Sequence, residues 1–133
     1  MNTEKVVFGF FILLAATLNF GFVWGDIDVA AHHQVSELFA AIVVNLVATI
    51  LKLGDRTQVG AIHLASSLVA DVQLLIAAAV WTWGSHVQVG HPESETVASV
   101  VSLAAGALLA NLVSVVLLIT ETSRIQAGTR KSK

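Results

Sequence analysis

The sequence has no cysteine, and it also lacks the common short motifs of enzymes. Without cysteine the chain has no disulfides, no thiolate metal sites, no thiol–disulfide relay and no site for palmitoylation. No phosphate-binding glycine loop, HExxH zinc motif or nucleophile–base triad is present either. We therefore predict that the protein is not an enzyme and that it carries no cofactor.

Charged residues are scarce, at 12% of 133 residues, which is about half the share in soluble domains. Hydrophobic residues make up 56%, and the mean hydropathy is +0.81. Four apolar runs are each long enough to cross a hydrocarbon core of about 30 Å as a helix: Val6–Trp24, Val35–Leu53, Gly60–Trp83 and Thr96–Thr120. The sequence therefore predicts an all-α membrane protein, a single domain over residues 1–133, with four transmembrane helices in an up-down-up-down bundle.

Basic residues are absent from the loop after the first run and from the loop after the third run. All seven lysines and arginines lie at the other ends of the runs: Lys5, Lys52, Arg56, Arg124, Arg130, Lys131 and Lys133. By the positive-inside rule, both chain termini and the turn between the second and third runs are predicted to be cytoplasmic. We expect residues 123–133 to form a flexible basic tail, and a bacterial inner membrane to be the simplest host.

The turn between the second and third runs carries a helix-start pattern. Asp55-Arg56-Thr57-Gln58 resembles a capping box, with Asp55 as N-cap and Gln58 three residues later. Because this turn is short, the second and third spans are predicted to be antiparallel neighbours.

Asp71 is the only acidic residue in the middle of a run, where inserting a charge costs at least ~2.5–3.5 kcal/mol. Asn45 and Asn111 fall at a similar predicted depth. Ser67 and His63 precede Asp71 by four and eight residues, which places them on the same helix face. These five residues are the predicted ion or proton site, which would bind a proton or a monovalent cation such as Na⁺ or K⁺.

Two structural roles for Asp71 compete with that prediction. It could be a protonated core acid, hydrogen-bonded to Asn45 or Asn111, with no role in transport. It could instead form a buried ion pair with Lys52, which shares one stripe of the second span with Asn45 and Thr49. Since Lys52 starts more than one turn away in depth, a position at the cytoplasmic interface suits it better.

The two loops without basic residues, and the adjoining helix ends, carry acids and histidines. Their acids would concentrate cations at the outer face of the membrane: Asp26, Asp28, Glu37, Glu93 and Glu95. Their histidines are a second hypothesis, a site for Zn²⁺, Cu²⁺ or Ni²⁺: His32, His33, His86 and His91. Only His63 lies clearly within a span, so haem held between two histidines of one chain is not expected.

A small four-span protein with one intramembrane acid resembles the small multidrug exporters in general plan. Their key acid is a glutamate in the first span, whereas the strongly polar residue of this first span is Asn19, so their function is not transferred.

The sequence predicts a small oligomeric membrane protein that transports cations or protons, as a homo-oligomer or beside a larger membrane protein. The alternative is a non-conducting accessory subunit; its basic tail would bind a partner or membrane lipid, and neither hypothesis involves nucleic acid.

Overall fold

The computed structural model describes residues 3–88 and 92–132, and its regular structure is helical. Four α-helices follow one another: α1 (Thr3–Val23), α2 (Val35–Lys52), α3 (Gln58–Val87) and α4 (Ser94–Ser132). A short 3-10 helix, Ala30–His32, lies between α1 and α2. All four α-helices are long and apolar enough to cross a membrane. This confirms the predicted helical class and the prediction of four helices of membrane-spanning length, as expected for a multi-pass membrane protein.

The fourth helix is much longer than the span predicted for it. Its 39 residues correspond to about 58 Å at 1.5 Å per residue, against a hydrocarbon core of about 30 Å. The predicted tail from about residue 123 is helical as far as Ser132. This segment contains no proline, and its polar side chains tolerate a helix in water, so the helix continues after the apolar residues end.

Each helix packs against two others: α1 and α3 both contact α2 and α4. Glycines allow close approach at several of these contacts. A methyl group added at Gly9 would lie 3.1 Å from Leu118 Cδ2, and one at Gly106 would lie 2.6 Å from the Gln73 amide nitrogen. These small residues therefore serve helix packing within the chain.

Two apolar clusters fill the interior. The larger includes Phe22, Leu38, Leu74, Val97 and Val100, and the smaller consists of Phe8, Ile12 and Ala48, with Phe11 and Val115 packed against it. Buried polar residues lie between them along the helices, and we name these the polar layer: Asn45, Thr49, Ser67, Asp71, Asn111 and Ser114. The smaller cluster lies toward the end of the helices that carries Lys5, Lys52 and Arg56, which we name the basic end.

Thr57, not Asp55, is the N-cap of α3. The Thr57 hydroxyl accepts a hydrogen bond from the Gly60 backbone N–H at 2.9 Å. Asp55 Oδ1 in turn accepts from the Thr57 backbone N–H at 2.9 Å and from its hydroxyl at 2.7 Å. The prediction of Asp55 as N-cap is wrong because an aspartate readily bonds the backbone two residues on, which moves the helix start to Gln58.

Asp55 is expected to make stability depend on pH at the acidic end of the scale. Hydrogen bonds from the Thr57 hydroxyl and backbone N–H, helped by the Lys52 charge, lower its pKa below the ordinary value of 3.8. A lowered pKa contributes stability above pH 3.8 that is lost as the pH falls through the folded-state value. Thermal unfolding in detergent from pH 7 to pH 3 measures this, with Asp55→Asn as reference. The stability difference between the two proteins should shrink below pH 3.8, and a constant difference would contradict the prediction.

Gly25 is expected to be intolerant of alanine. Its φ of +116° is the only positive value among the described residues, and an added methyl group would lie 2.7 Å from His32 Cβ. Backbone strain of about 1–2 kcal/mol plus this clash should lower the unfolding free energy by roughly 2 kcal/mol. Gly54→Ala is the matched control, since nothing lies within 4 Å of its added methyl group. Equal melting temperatures for the two variants in detergent would contradict the prediction.

Candidate functional site

Asp71 lies on the face of α3 that meets α2, and its side chain is buried, with 5% exposed. Asn45 Nδ2 donates a hydrogen bond to Asp71 Oδ1 at 2.6 Å. The Thr49 hydroxyl donates to Asp71 Oδ2, also at 2.6 Å. Each carboxylate oxygen therefore has a donor from the neighbouring helix, which is the arrangement that stabilises a charge away from water.

The spacing of the two donors explains why both reach the same carboxylate. Asn45 and Thr49 are four residues apart, so they lie one above the other on α2. Asn45 Nδ2 also donates to the Ser67 backbone carbonyl at 3.1 Å, so that both of its N–H groups are used. This second bond fixes the Asn45 amide against α3 with its nitrogen toward Asp71.

Thr49 gives the site a way to accommodate a proton. Its hydroxyl has one hydrogen and two acceptors within reach, Asp71 Oδ2 and the Asn45 backbone carbonyl at 3.0 Å. When Asp71 is ionised, Thr49 donates to it. When Asp71 carries a proton, that proton can be donated to the Thr49 oxygen while the Thr49 hydrogen turns to the carbonyl. The heavy atoms stay in place in both states.

Several other polar atoms are buried without a hydrogen-bond partner among the described residues. Within the polar layer they are Asn45 Oδ1, Ser67 Oγ, both amide atoms of Asn111 and Ser114 Oγ. Leaving such a group unpaired costs about 1–3 kcal/mol. The oxygen atoms among them could bind water or a cation, and the Asn111 amide nitrogen could donate a hydrogen bond to water.

The structure places the five predicted site residues unequally around Asp71. Asn45 bonds it directly, and Ser67 contributes its backbone carbonyl to Asn45. His63 is fully buried near the basic end, with its ring 4.9 Å from the Phe8 ring. Asn111 is fully buried on α4 and is not among the hydrogen-bond partners of Asp71.

Thr49 and Gln73 belong to this region although the sequence prediction did not include them in the site. The signal for Thr49 was its spacing of four from Asn45, which lies on the same stripe. Gln73 follows Asp71 by two residues and therefore faces another way, toward Gly106 of α4. Its Oε1 is buried without a hydrogen-bond partner in the described part of the chain.

The alternative ion pair between Lys52 and Asp71 is not formed. Lys52 Nζ lies 3.5 Å from Asp55 Oδ2 and 4.3 Å from the centre of the Phe8 ring. The aliphatic stem of a lysine can follow the apolar surface and bring its charge to the helix end, and Lys52 does this. Asp71 is thus held by neutral donors.

Two of the predicted metal ligands have backbone partners at the opposite end of the helices. The buried His33 ring places Nδ1 against the Phe22 carbonyl oxygen and Nε2 2.8 Å from the Asp26 carbonyl oxygen. His32 Nδ1 accepts a hydrogen bond from the Asp26 backbone N–H at 3.1 Å. These contacts hold the loop between α1 and α2 against the end of α1.

The other two predicted metal ligands are His86 and His91. His86 Nδ1 lies 2.8 Å from the Thr82 carbonyl oxygen of its own helix, and His91 lies outside the described residues. Within residues 3–88 and 92–132, no three histidine, aspartate or glutamate side chains are grouped so that they could hold a metal ion.

The predicted cation-attracting acids also differ in their surroundings. Asp26, Asp28, Glu93 and Glu95 are exposed. Glu37 is half-buried, because its carboxylate lies against Gly21 of α1 and its Oε2 is shielded from solvent. Four of the five acids can therefore act on ions in solution, and Glu37 faces the contact between α1 and α2.

Comparison with known proteins places the chain in a family. No curated protein and no solved structure matches it. The matched segment starts at His32 and runs through α2 and α3 into α4, so it contains every residue of the polar layer. Residues 32–122 match the family of unknown function DUF6394, and because they make up more than half of the 133 residues, the chain belongs to this family.

Proposed function

We propose that the protein transports protons or monovalent cations across a membrane and that Asp71 binds them. The observation that carries this proposal is the buried carboxylate with one donor on each oxygen, from Asn45 and Thr49. An ionisable group within a membrane span is expensive, and such groups commonly mark ion or proton pathways. The Thr49 hydroxyl, which can point to either of two acceptors, supports reversible proton binding in particular.

A proton fits this site better than a dehydrated cation does. Each Asp71 oxygen already accepts one hydrogen bond, so a cation would have to bind at the remaining lone pairs and would need several further oxygen ligands. A proton requires only that the Thr49 hydrogen turn to the Asn45 carbonyl. If a cation does bind, Asn45 Oδ1 and Ser67 Oγ are the buried oxygens that could join Asp71 as its ligands.

The proposed setting is an up-down-up-down bundle in a bacterial inner membrane, with both termini cytoplasmic. Lys5, Lys52 and Arg56 meet at one end of the helices, and the positive-inside rule assigns that end to the cytoplasm. The exposed acids Asp26 and Asp28 at the other end would then attract cations from outside.

We further propose that the protein works as a homo-oligomer or beside a larger membrane protein. Four helices enclose only a narrow interior, and here it is filled by two apolar clusters on either side of the polar layer. A continuous path is easier to build where several copies or a partner supply further helices.

Reconstitution into liposomes tests the proposal. Vesicles with purified protein and an entrapped pH-sensitive dye are given a pH gradient, and parallel vesicles are given a Na⁺ or K⁺ gradient at equal membrane potential. We expect faster proton movement than in vesicles without protein, and slower or no movement of the metal ions. Protein-containing vesicles that match the empty ones under all three gradients would contradict the proposal.

A second candidate function is that of a non-conducting accessory subunit of a transport complex. The extension of α4 favours it, since Arg124, Ile125 and Arg130 are exposed on a helix that continues past the apolar span. Purification from native membranes separates the two functions. A larger protein at fixed stoichiometry supports the accessory role, and a homo-oligomer without other proteins supports independent transport.

A further inference from the structure

A cavity of about 670 Å³ opens at the basic end, between the start of α1 and the turn that joins α2 to α3. Charged side chains of both signs stand around it, together with apolar ones: Glu4, Phe8, Leu51, Lys52, Asp55 and Arg56. It is far larger than the ≈ 30 Å³ that one water molecule occupies in the liquid. Water and small ions can therefore reach its inner wall.

Phe8 is the part of that wall that faces the interior. Its side chain is 1% exposed, and its ring contacts the His63 ring edge to face at 4.9 Å and 67°. His63 is fully buried, and both of its ring nitrogens are without a hydrogen-bond partner in the described part of the chain. One aromatic ring thus lies between the cavity and a buried imidazole.

Polar side chains continue from His63 toward Asp71. Ser67 and Asp71 follow His63 at intervals of four residues, so all three lie on one face of α3, with about 6 Å between successive positions along the axis. Ser67 Oγ is buried and has no hydrogen-bond partner among the described residues. Donor and acceptor groups therefore extend over roughly 12 Å from behind Phe8 to the carboxylate.

Lys52 holds the Phe8 ring from the cavity side. Its ammonium lies 4.3 Å from the ring centre, within the range of a cation–π contact, and 3.5 Å from Asp55 Oδ2. The ring therefore lies between the Lys52 ammonium and the His63 imidazole. Phe8 belongs to the smaller apolar cluster, with Ile12 and Ala48 as the other buried members.

We propose that this cavity is the entrance to Asp71 from the basic end and that Phe8 is the barrier that closes it. This proposal adds an access route to the proposed function. The use of that route in transport rests on the proposed function being correct. The access itself is a property of the structure that can be measured without any transport. If the Phe8 ring only fills space, truncating it should lower stability without changing the access of a reagent to Ser67.

Thiol labelling tests the proposal, because the chain has no cysteine of its own. Ser67→Cys places a thiol behind Phe8, and the probe is a small, membrane-impermeant, positively charged methanethiosulfonate. We expect slow labelling with Phe8 present, labelling at least tenfold faster in Phe8→Ala, and an intermediate rate in Phe8→Val. Phe10→Ala is the matched control on α1, since that ring is exposed outside the helix bundle, and it should leave the rate unchanged.

A second cysteine variant determines from which side of the membrane the reagent enters, without assuming an orientation of the protein. Arg56→Cys lines the cavity and should be labelled only from the basic end, so membrane vesicles of both orientations are compared. Fast labelling of Phe8→Ala/Ser67→Cys from the same side as Arg56→Cys supports the proposal. Labelling from the other side, equal rates with and without Phe8, or equal acceleration by Phe10→Ala would overturn it.

The entrance and the transport function can fail separately. Asp71→Asn added to the labelling variants should leave the effect of Phe8→Ala in place, because access does not need the carboxylate. Acceleration of labelling together with no flux from the wild-type protein would remove the transport proposal and keep the entrance. Flux from the wild-type protein without any acceleration would remove the entrance and keep transport.

Discussion

Proton flux through reconstituted Asp71→Asn should fall to the level of protein-free liposomes, with little change in the fold. The amide has the same shape as the carboxyl group, and its oxygen can still accept the hydrogen bond from Asn45 Nδ2. It has no ionisable proton, so it cannot alternate between a charged and a neutral state. The entrapped pH dye measures the flux, and the melting temperature in detergent verifies the fold.

Two further variants make the result specific. Thr49→Val keeps the volume but removes the hydroxyl that serves both protonation states, so flux should fall and remain above background. Glu121→Gln removes an acid of α4 that lies outside both the polar layer and the cavity lining, and it should leave flux close to that of the wild-type protein. Wild-type rates from Asp71→Asn would show that the carboxylate is structural.

The four helices could be predicted from the sequence because each carries an apolar run of membrane-spanning length. The predicted start of α2 at Val35 is the start found, and its end differs by one residue. The end of α4 was not predictable in this way. Beyond Thr120 the residues are polar, so hydropathy no longer marks them, although nothing in their sequence stops a helix before Ser132.

The sequence can predict how deep a site residue lies in its span, but not how far each helix is rotated about its axis. Counting residues from the span ends predicts similar depths for Asn45, Asp71 and Asn111, and the Asn45–Asp71 hydrogen bond places the first two side by side. Which of them touch depends on how far each helix is turned, which is set by packing of whole faces such as Gly106 against Gln73. For this reason Asn45 bonds Asp71, whereas Asn111 does not.

Leucine in place of Asn45 is expected to destabilise the protein by about 3 kcal/mol, because a buried carboxylate and a buried carbonyl each lose a hydrogen-bond donor. The change deprives Asp71 Oδ1 of its donor and the Ser67 carbonyl of a second hydrogen bond. A hydrogen bond to a charged group accounts for about 1.5–3 kcal/mol of this loss. Equilibrium unfolding in mixed detergent micelles measures the difference from the wild-type protein.

Asn111→Leu is the matched control, because Asn111 is equally buried and its amide atoms have no hydrogen-bond partner among the described residues. Removing an unpaired amide there should be neutral or stabilising. Adding Asp71→Leu to Asn45→Leu should recover much of the loss, since no carboxylate is then left without a donor. If Asn45→Leu costs no more than Asn111→Leu, the Asn45–Asp71 bond does not stabilise the carboxylate. Packing of uncharged side chains would then be enough to hold α2 against α3. Asp71 could then gain or lose its proton without a hydrogen bond from Asn45.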